Sequence, residues 1–192
     1  FRPMIKIGIL GDIGSGKSHV AKNFGYPVFN ADEEVVKIYK KDRKIFIKLK
    51  KILPKYIYSF PVDKNEVSTA ILANKLNLEK IIKIVHLEVK KKMNIFLKQN
   101  KNKKIVILDI PLFLENKINK KKDILIFVQS KKSEILKRLR KRPNFNARLL
   151  NKFKNIQLRL DYKKKKSHFI IKNNFTNKSV RRSIKKILKK IL

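Results

Sequence analysis

The sequence of 192 residues predicts an α/β fold in which helices cover both faces of a parallel sheet. Two observations support this class. Short apolar runs suited to buried strands alternate along the chain with segments of helical periodicity. A glycine-rich loop also joins the first apolar run to the first helical segment, as in a strand–loop–helix unit. The length suits one domain of ordinary size with a small inserted lid.

The periodicity places each element along the chain. Because ligands gather at the carboxyl ends of the strands in parallel sheets, functional residues are expected directly after strands. The predicted strands are Ile5–Leu10, Pro27–Phe29, Ile105–Leu108, Ile124–Val128 and Phe169–Ile171. The predicted helices are Lys17–Phe24, Glu33–Tyr39, Lys44–Leu53, Val67–Leu76, Leu78–Leu97, Lys132–Lys141, Leu149–Lys166 and Asn177–Leu192.

The loop Gly11-Asp12-Ile13-Gly14-Ser15-Gly16-Lys17-Ser18 matches the pattern G-x-x-x-x-G-K-[ST] between a strand and a helix. Glycines allow the backbone to fold closely around phosphate oxygens, and the loop amides direct partial positive charge at the anion. Lys17 is expected to reach the β- and γ-phosphates, and the Ser18 hydroxyl is expected to help hold Mg²⁺. The motif therefore predicts binding of a nucleoside triphosphate.

Composition narrows the class of protein further. The chain has no cysteine, which excludes disulfides and thiolate metal sites and fits a reducing cytoplasm. Its apolar runs all fall short of the roughly 20 residues that span a bilayer, so no membrane partner is expected. The start does not resemble a signal peptide, because the first strand leads directly into the phosphate loop.

The net charge of +37 attracts polyanions in principle. Most of the 51 basic residues, however, are lysines, and they are spread over the whole chain. Lysine, isoleucine and asparagine have AT-rich codons, so coding bias could produce this charge without selection for a polyanion partner. We therefore favour a solvated basic surface over a dedicated nucleic-acid partner, and expect the field to attract anionic small substrates.

Two aspartates follow predicted strands. Asp32 follows the second strand and could accept or orient the proton of an attacking hydroxyl, but it could equally be a helix N-cap. Asp109 ends the third strand, where phosphate-loop proteins place a residue near Mg²⁺. Glu115, six residues later, could be a surface or a site residue.

Arginines cluster in one region of this lysine-rich chain, at Arg138, Arg140, Arg142 and Arg148. Arg138 and Arg142 are spaced i, i+4 and are predicted on one helix face, where they could stabilise a transferring phosphoryl group. The alternative is a solvated basic face. The segment 143–146 then breaks the helix, as a hinge or lid would. A lone histidine on a helix, such as His86, is more often structural than catalytic.

These motifs, taken in order, resemble the dephospho-coenzyme A kinase family over nearly the whole chain. The phosphate loop, extended to His19, corresponds to that family's G-G-I-G-S-G-K-S-T. The other matching segments are Asn30-Ala31-Asp32, Asp63-Lys64-Asn65-Glu66-Val67, His86-Leu87-Glu88-Val89, Asp109-Ile110-Pro111-Leu112-Phe113-Leu114-Glu115, Arg138-Leu139-Arg140-Lys141-Arg142, Gln157, and Ser167-His168-Phe169-Ile170-Ile171-Lys172-Asn173.

The resemblance implies a three-layer P-loop NTPase fold with a five-stranded parallel sheet. It implies a core of about residues 4–30, 101–130 and 167–192. A helical acceptor-binding region at about 31–100 and a lid at about 138–160 complete the single domain. The implied partners are small molecules: ATP, with Mg²⁺, phosphorylates the ribose 3′-hydroxyl of dephospho-CoA. The oligomeric state is left open.

By the same resemblance, the site residues receive roles. The catalytic residues would be Asp32, Lys17, Arg138 and Arg142. ATP would bind Gly11, Gly14, Ser15, Gly16, Lys17, Ser18 and His19. The acceptor would bind Asp32, Lys64, His86, Asp109, Leu112 and Glu115, and Ser18 and Asp109 would contact the metal.

The chain departs from the family pattern at Asp12, which replaces a glycine. It also departs at Asn30, which replaces an aspartate, and at Lys64 (arginine), Leu87 (proline) and His168 (aspartate). Two other functions fit part of these sequence features. A kinase of the nucleoside-monophosphate type would share the phosphate loop and arginines, but it does not predict the segment from Asp109 to Glu115. A basic, nucleotide-dependent nucleic-acid-binding protein would share only the loop and the charge.

Overall fold

A computed structural model describes residues 3–192 of the chain, which form a parallel sheet of five strands and nine helices. The strand order is β2-β3-β1-β4-β5, with every neighbouring pair parallel. The strands are β1 (Ile5–Gly11), β2 (Val28–Asn30), β3 (Ile105–Asp109), β4 (Ile124–Gln129) and β5 (Phe169–Lys172). The helices are α1 (Lys17–Asn23), α2 (Ala31–Lys41), α3 (Arg43–Ile52), α4 (Lys64–Ala73), α5 (Lys75–Gln99), α6 (Lys132–Arg140), α7 (Ala147–Asn155), α8 (Leu160–Lys166) and α9 (Asn177–Ile191).

The central strand β1 pairs with β3 on one side and with β4 on the other. Its residues Ile7 and Ile9 are completely buried, and all five residues of β3 are buried as well. Strands buried on both faces read as continuous apolar runs, which is why the sequence pattern located them. The predicted strands and the parallel sheet are thus confirmed, with ends that differ by one residue.

The described residues divide into two compact units. Unit 1 contains residues 3–30, Gln99–Phe145 and Gln157–Leu192, and therefore holds the whole sheet. Helices α1 and α9 pack together and bury Val20, Val180 and Ile184 against the central strands. Burial of this apolar face stabilises the sheet by about 25 cal/mol for each Å² removed from water.

Unit 2 contains Ala31–Lys98 and Asn146–Ile156 and is helical. Its buried side chains include Leu49 and Ala70, which lie on the apolar faces of α3 and α4. Glu66 is also buried, and it accepts hydrogen bonds from the backbone N–H groups of Tyr58 (2.9 Å) and Ser59 (3.2 Å). Burial alone would raise the pKa of Glu66, but these hydrogen bonds outweigh it and lower the pKa. The carboxylate thereby fixes the loop before α4.

Two of the sequence-based predictions about helices are wrong. The segment Leu149–Lys166 was expected to be one helix, but α7 ends at Asn155 and α8 begins only at Leu160. A long-range hydrogen bond explains the break, since the Leu158 N–H donates to Glu115 rather than to a helical carbonyl group. Arg142 was expected on one helix face with Arg138, but α6 ends at Arg140 and Arg142 lies outside it. Arg142 directly precedes Pro143, and the residue before a proline disfavours helical geometry.

Within residues 3–192, no helix combines the length and the apolar character that crossing a bilayer requires.

Candidate active site

The loop after β1 has the backbone shape that its glycines permit. Gly14 and Gly16 have φ angles of +81° and +88°, a region that residues with a Cβ rarely adopt. Gly16 is also tightly packed, because a Cβ at this position would collide with the side-chain amide of Asn173 and the ring of Phe175. The loop therefore packs closely against the segment that follows β5. Helix α1 begins directly after Gly16.

The carbonyl oxygen of Ser15 ties the loop to the ends of two strands. It accepts one hydrogen bond of 2.7 Å from the Ser130 hydroxyl, just after β4, and one of 2.9 Å from Nδ2 of Asn173, just after β5. Asn173 is itself buried, and its Oδ1 accepts from the Phe175 N–H at 2.8 Å. Because Ser15 O faces these donors, the loop is held in place before any ligand arrives.

The Lys17 side chain folds back over its own loop. Its Nζ donates to the carbonyl oxygens of Asp12 (2.8 Å) and Gly11 (3.3 Å). The Asp12 carboxylate accepts from the Ile13 N–H at 2.7 Å, so this carboxylate is tied to the loop backbone. A phosphate group, which carries a full charge, competes well with such neutral carbonyl partners for an ammonium group.

Three side chains meet at the carboxyl edge of the sheet. The Ser18 hydroxyl donates to Oδ2 of Asp109 at 2.6 Å, and Nδ2 of Asn30 donates to the same oxygen at 3.1 Å. This meeting is imposed by the sheet, because Asn30 and Asp109 are register partners of β2 and β3. Asp109 is only 4% exposed, so its carboxyl group lies largely outside water, and these hydrogen bonds compensate part of the cost of its burial.

The donor set at this edge suits a hard divalent cation. Ser18 and Asp109 offer oxygen ligands, which Mg²⁺ prefers, and Mg²⁺ commonly takes only one or two ligands from protein and the others from phosphate and water. Residues 3–192 contain no group of three or more His, Asp or Glu side chains able to hold a metal ion alone. The residues present therefore fit a cation that arrives together with a nucleotide.

The segment after β3 is a series of tight turns over residues 111–117. Phe113 is fully buried in this segment and lies against Gly8 of β1, where a Cβ would approach the Phe113 ring to 2.5 Å. Leu112 is half-buried. Glu115, expected to bind the acceptor, forms a buried ion pair of 2.5 Å with Lys163. Sequence reasoning missed Lys163, because a lysine in a lysine-rich chain gives no signal.

The predicted arginines are exposed. The Arg138 guanidinium lies 4.1 Å from the centre of the Phe175 ring, within the range of a cation–π contact. Arg142 is exposed after the end of α6. Both arginines lie in unit 1, whereas Arg148 lies in unit 2.

Three predicted site residues lie in unit 2. Asp32 is exposed in the first turn of α2, two residues after the end of β2, where the helix dipole favours a carboxylate. Lys64 is the exposed first residue of α4, which Asp63 caps. His86 is half-buried on α5, and its pKa is lowered by burial and by the nearby charge of Lys90. A neutral imidazole is therefore favoured at this position.

Other residues at the site had weak signals in the sequence. Ser130 and Phe175 follow the ends of β4 and β5, so the rule that ligands gather after strands would have included them. His168 has a structural role, since its Nδ1 accepts from the Leu125 N–H at 2.9 Å beside β4. His19, expected to contact ATP, lies on α1 and its Nε2 is buried without a hydrogen-bond partner among the described residues.

The parallel sheet and the phosphate loop define a P-loop fold, and solved structures agree on this fold. The chain aligns over its full length with TT1252 from Thermus thermophilus, with a TM-score of 0.79 and 23% identity. It also aligns with the dephospho-CoA kinase of Campylobacter jejuni, with a TM-score of 0.61 and 21% identity. This alignment covers 97% of the present chain and 96% of the Campylobacter jejuni chain.

Sequence comparisons identify the family. A family model described as dephospho-CoA kinase matches residues 5–179. The dephospho-CoA kinase of Wolbachia pipientis wMel is 32% identical over 187 residues, which cover 95% of each chain. That of Rickettsia felis is 29% identical over 188 residues, covering 96% of each. The chain belongs to the dephospho-CoA kinase family.

The anchoring of the loop through Asn173 leads to a first prediction. Asn173→Asp keeps the acceptor for Phe175 but turns a carboxylate oxygen towards the Ser15 carbonyl. We expect a loss of stability of about 1–3 kcal/mol, because a buried donor is replaced by a charged acceptor. ATP affinity should fall at least about tenfold, measured by calorimetry. Asn174→Asp, at the exposed neighbouring position, is the matched control, and equal ATP affinity in both variants would refute the anchoring role.

Proposed function

We propose that the protein transfers the γ-phosphoryl group of ATP to the ribose 3′-hydroxyl of dephospho-CoA, giving coenzyme A and ADP. One observation carries the proposal: the 2.6 Å hydrogen bond from Ser18 to Asp109. It joins the phosphate loop, which many kinases share, to the segment from Asp109 to Glu115, which distinguishes this family. Membership of the family supports the choice of acceptor.

The donor end of the site is the phosphate loop. The loop amides cradle the phosphates, as anions favour such arrays of N–H groups. Lys17 leaves the carbonyl groups of Gly11 and Asp12 and pairs with the β- and γ-phosphate oxygens. This exchange is favourable because hydrogen bonds between an ammonium group and phosphate are stronger than those to neutral carbonyl groups.

Ser18 and Asp109 would hold Mg²⁺ together with the nucleotide. When bound, the cation supplies charge neutralisation for the phosphate oxygens. The chain contributes the hydroxyl of Ser18, freed from its hydrogen bond to Asp109, and the carboxylate of Asp109. Asn30, which donates to that carboxylate, keeps it oriented. This use of Asn30 explains how the chain tolerates an amide where the family has an aspartate.

Asp32 is the residue we propose as general base. Its carboxylate takes the proton of the ribose 3′-hydroxyl, the hydroxyl oxygen forms a bond to the γ-phosphorus, and the bond from that phosphorus to the β–γ bridging oxygen breaks. ADP leaves with the electron pair of that bond. Asp32 is exposed in the first turn of α2, where the helix dipole favours the carboxylate form that accepts the proton.

Positive side chains neutralise the charge that spreads over the transferring group. We assign this role to Lys17, Arg138 and Arg142, and the planar guanidinium groups suit the oxygens of a phosphoryl group. Arg138 is held on the Phe175 ring, and Arg142 follows the last turn of α6. Lys64, His86 and Leu112 are assigned to acceptor binding.

The acceptor is tested directly by a substrate screen. With ATP and Mg²⁺ present, dephospho-CoA should give ADP and coenzyme A, measured by coupled ADP release and by chromatography of the product. AMP, CMP and shikimate should give no turnover above the background. Turnover of a nucleoside monophosphate without turnover of dephospho-CoA would overturn the proposed function. In a separate measurement, chelation of Mg²⁺ should abolish the activity.

The role of Asp32 is tested by Asp32→Asn, which keeps the shape and removes the proton acceptor. We expect kcat to fall by about two to four orders of magnitude, because general base catalysis contributes that much. ATP affinity should stay within about twofold, because the base acts on the acceptor. Glu33→Gln, on the adjacent exposed position, is the matched control. An unchanged kcat in Asp32→Asn would remove Asp32 as the base.

A further inference from the structure

Lys163 differs from the other lysines of residues 3–192, because it alone is buried, with 1% of its surface exposed. Its Nζ lies 2.5 Å from Oε1 of Glu115 and 3.3 Å from Oε1 of Gln157. A lysine is almost never fully buried unless it is paired. Because the other described lysines are exposed or only half-buried, this burial requires a reason.

One carboxylate oxygen connects two distant segments. Oε1 of Glu115 accepts from Lys163 and also from the Leu158 N–H, at 3.0 Å. Glu115 lies in the turns after β3, whereas Leu158 lies between α7 and α8. Oε2 of Glu115 is buried and has no hydrogen-bond partner among the described residues. The hydrogen bonds of this carboxylate therefore offset only part of the free energy that its removal from water costs.

Stability does not account for such a pair. Removing two charges from water is costly, and replacing a buried ion pair with apolar residues of similar volume is often neutral or stabilising. Breaking the pair by removing one partner is strongly destabilising, because it leaves an uncompensated buried charge. A pair retained at this cost is better explained by the geometry that it specifies.

Both connected segments adjoin functional parts of the chain. The turns of residues 111–117 start two residues after Asp109, which bonds to Ser18 of the phosphate loop. Gln157 and Leu158 are the first residues of unit 1 after the chain returns from the part of unit 2 formed by Asn146–Ile156. The ion pair therefore connects the turns of residues 111–117, which follow Asp109, to the segment that begins at Gln157 and Leu158.

We propose that Lys163 and Glu115 are positioning residues for phosphoryl transfer and form, with Gln157 and the Leu158 N–H, a buried ionic latch. The latch fixes the turns of residues 111–117 relative to Gln157 and Leu158. It affects the reaction through these turns, because they follow Asp109. In this proposal the main partner of Glu115 is Lys163 and not the acceptor. The inference rests on the proposed function for its kinetic consequences, but the latch itself is a structural claim.

A double-mutant cycle tests the latch, with Lys163→Met, Glu115→Leu and the double variant. The double variant removes both charges and should fold with a Tm close to that of the wild type. Its kcat should fall at least about tenfold and its KM for dephospho-CoA should rise several-fold, while the KM for ATP stays within about twofold. Lys163→Met should lose as much activity as the double variant, because the two residues act as one unit.

The conservative variant and a neighbour complete the design. Lys163→Arg keeps the charge and should recover most of the lost kcat. Lys165→Met changes an exposed lysine on the same helix and should leave kcat and both KM values unchanged. If Lys163→Met is too unstable to assay, the double variant and Lys163→Arg carry the comparison. A double variant with wild-type kinetics would overturn the proposal.

A loss of activity confined to variants that lack Glu115 would also overturn it, because that pattern indicates direct contact of Glu115 with the acceptor. Hydrogen exchange separates the latch from the proposed function. The Leu158 amide should exchange at least about tenfold faster in the double variant than in the wild type. If the wild type does not phosphorylate dephospho-CoA, the proposed function fails, and the exchange of Leu158 then decides the latch: unchanged exchange refutes it.

Discussion

The position of β1 between β3 and β4 is the constraint on which the described site in unit 1 depends. Because all strands are parallel, the loops after β1, β2, β3, β4 and β5 leave the sheet at one edge. Register then sets which side chains meet: Asn30 and Asp109 are partners, and Ser18 reaches Asp109 from the first turn of α1. The loops after β4 and β5 supply Ser130 and Asn173, which hold the Ser15 carbonyl.

The sequence was sufficient to predict most of this edge, because its determinants are local. Buried strands are continuous apolar runs, and the phosphate loop is a contiguous motif whose glycines adopt the positive φ angles that a Cβ disfavours. Asp109 was found because it directly follows an apolar strand. The five strands and the parallel sheet are confirmed. The roles of Asp32, Lys64 and His86 stay predictions, because they depend on the acceptor.

Features set by long-range contacts could not be predicted. The pattern of Leu149–Lys166 is helical throughout, and nothing in it indicates that the carboxylate of Glu115, more than 40 residues away, captures the Leu158 N–H. The sequence also gives no indication that Lys163 is buried, because one lysine cannot be singled out among 51 basic residues. The end of α6 before Pro143 had a local signal, because the residue before a proline avoids helical geometry, and applying that rule would have excluded Arg142 from the helix.

We propose that Ser18 and Asp109 form the metal-binding end of a nucleotide site. The most direct test of this proposal is the affinity for ATP, measured by calorimetry with and without Mg²⁺, in the wild type and in Asp109→Asn. We predict that Mg²⁺ strengthens ATP binding at least about tenfold in the wild type, and that Asp109→Asn loses most of this gain while it binds metal-free ATP as well as the wild type. An equal gain from Mg²⁺ in both proteins would contradict the account.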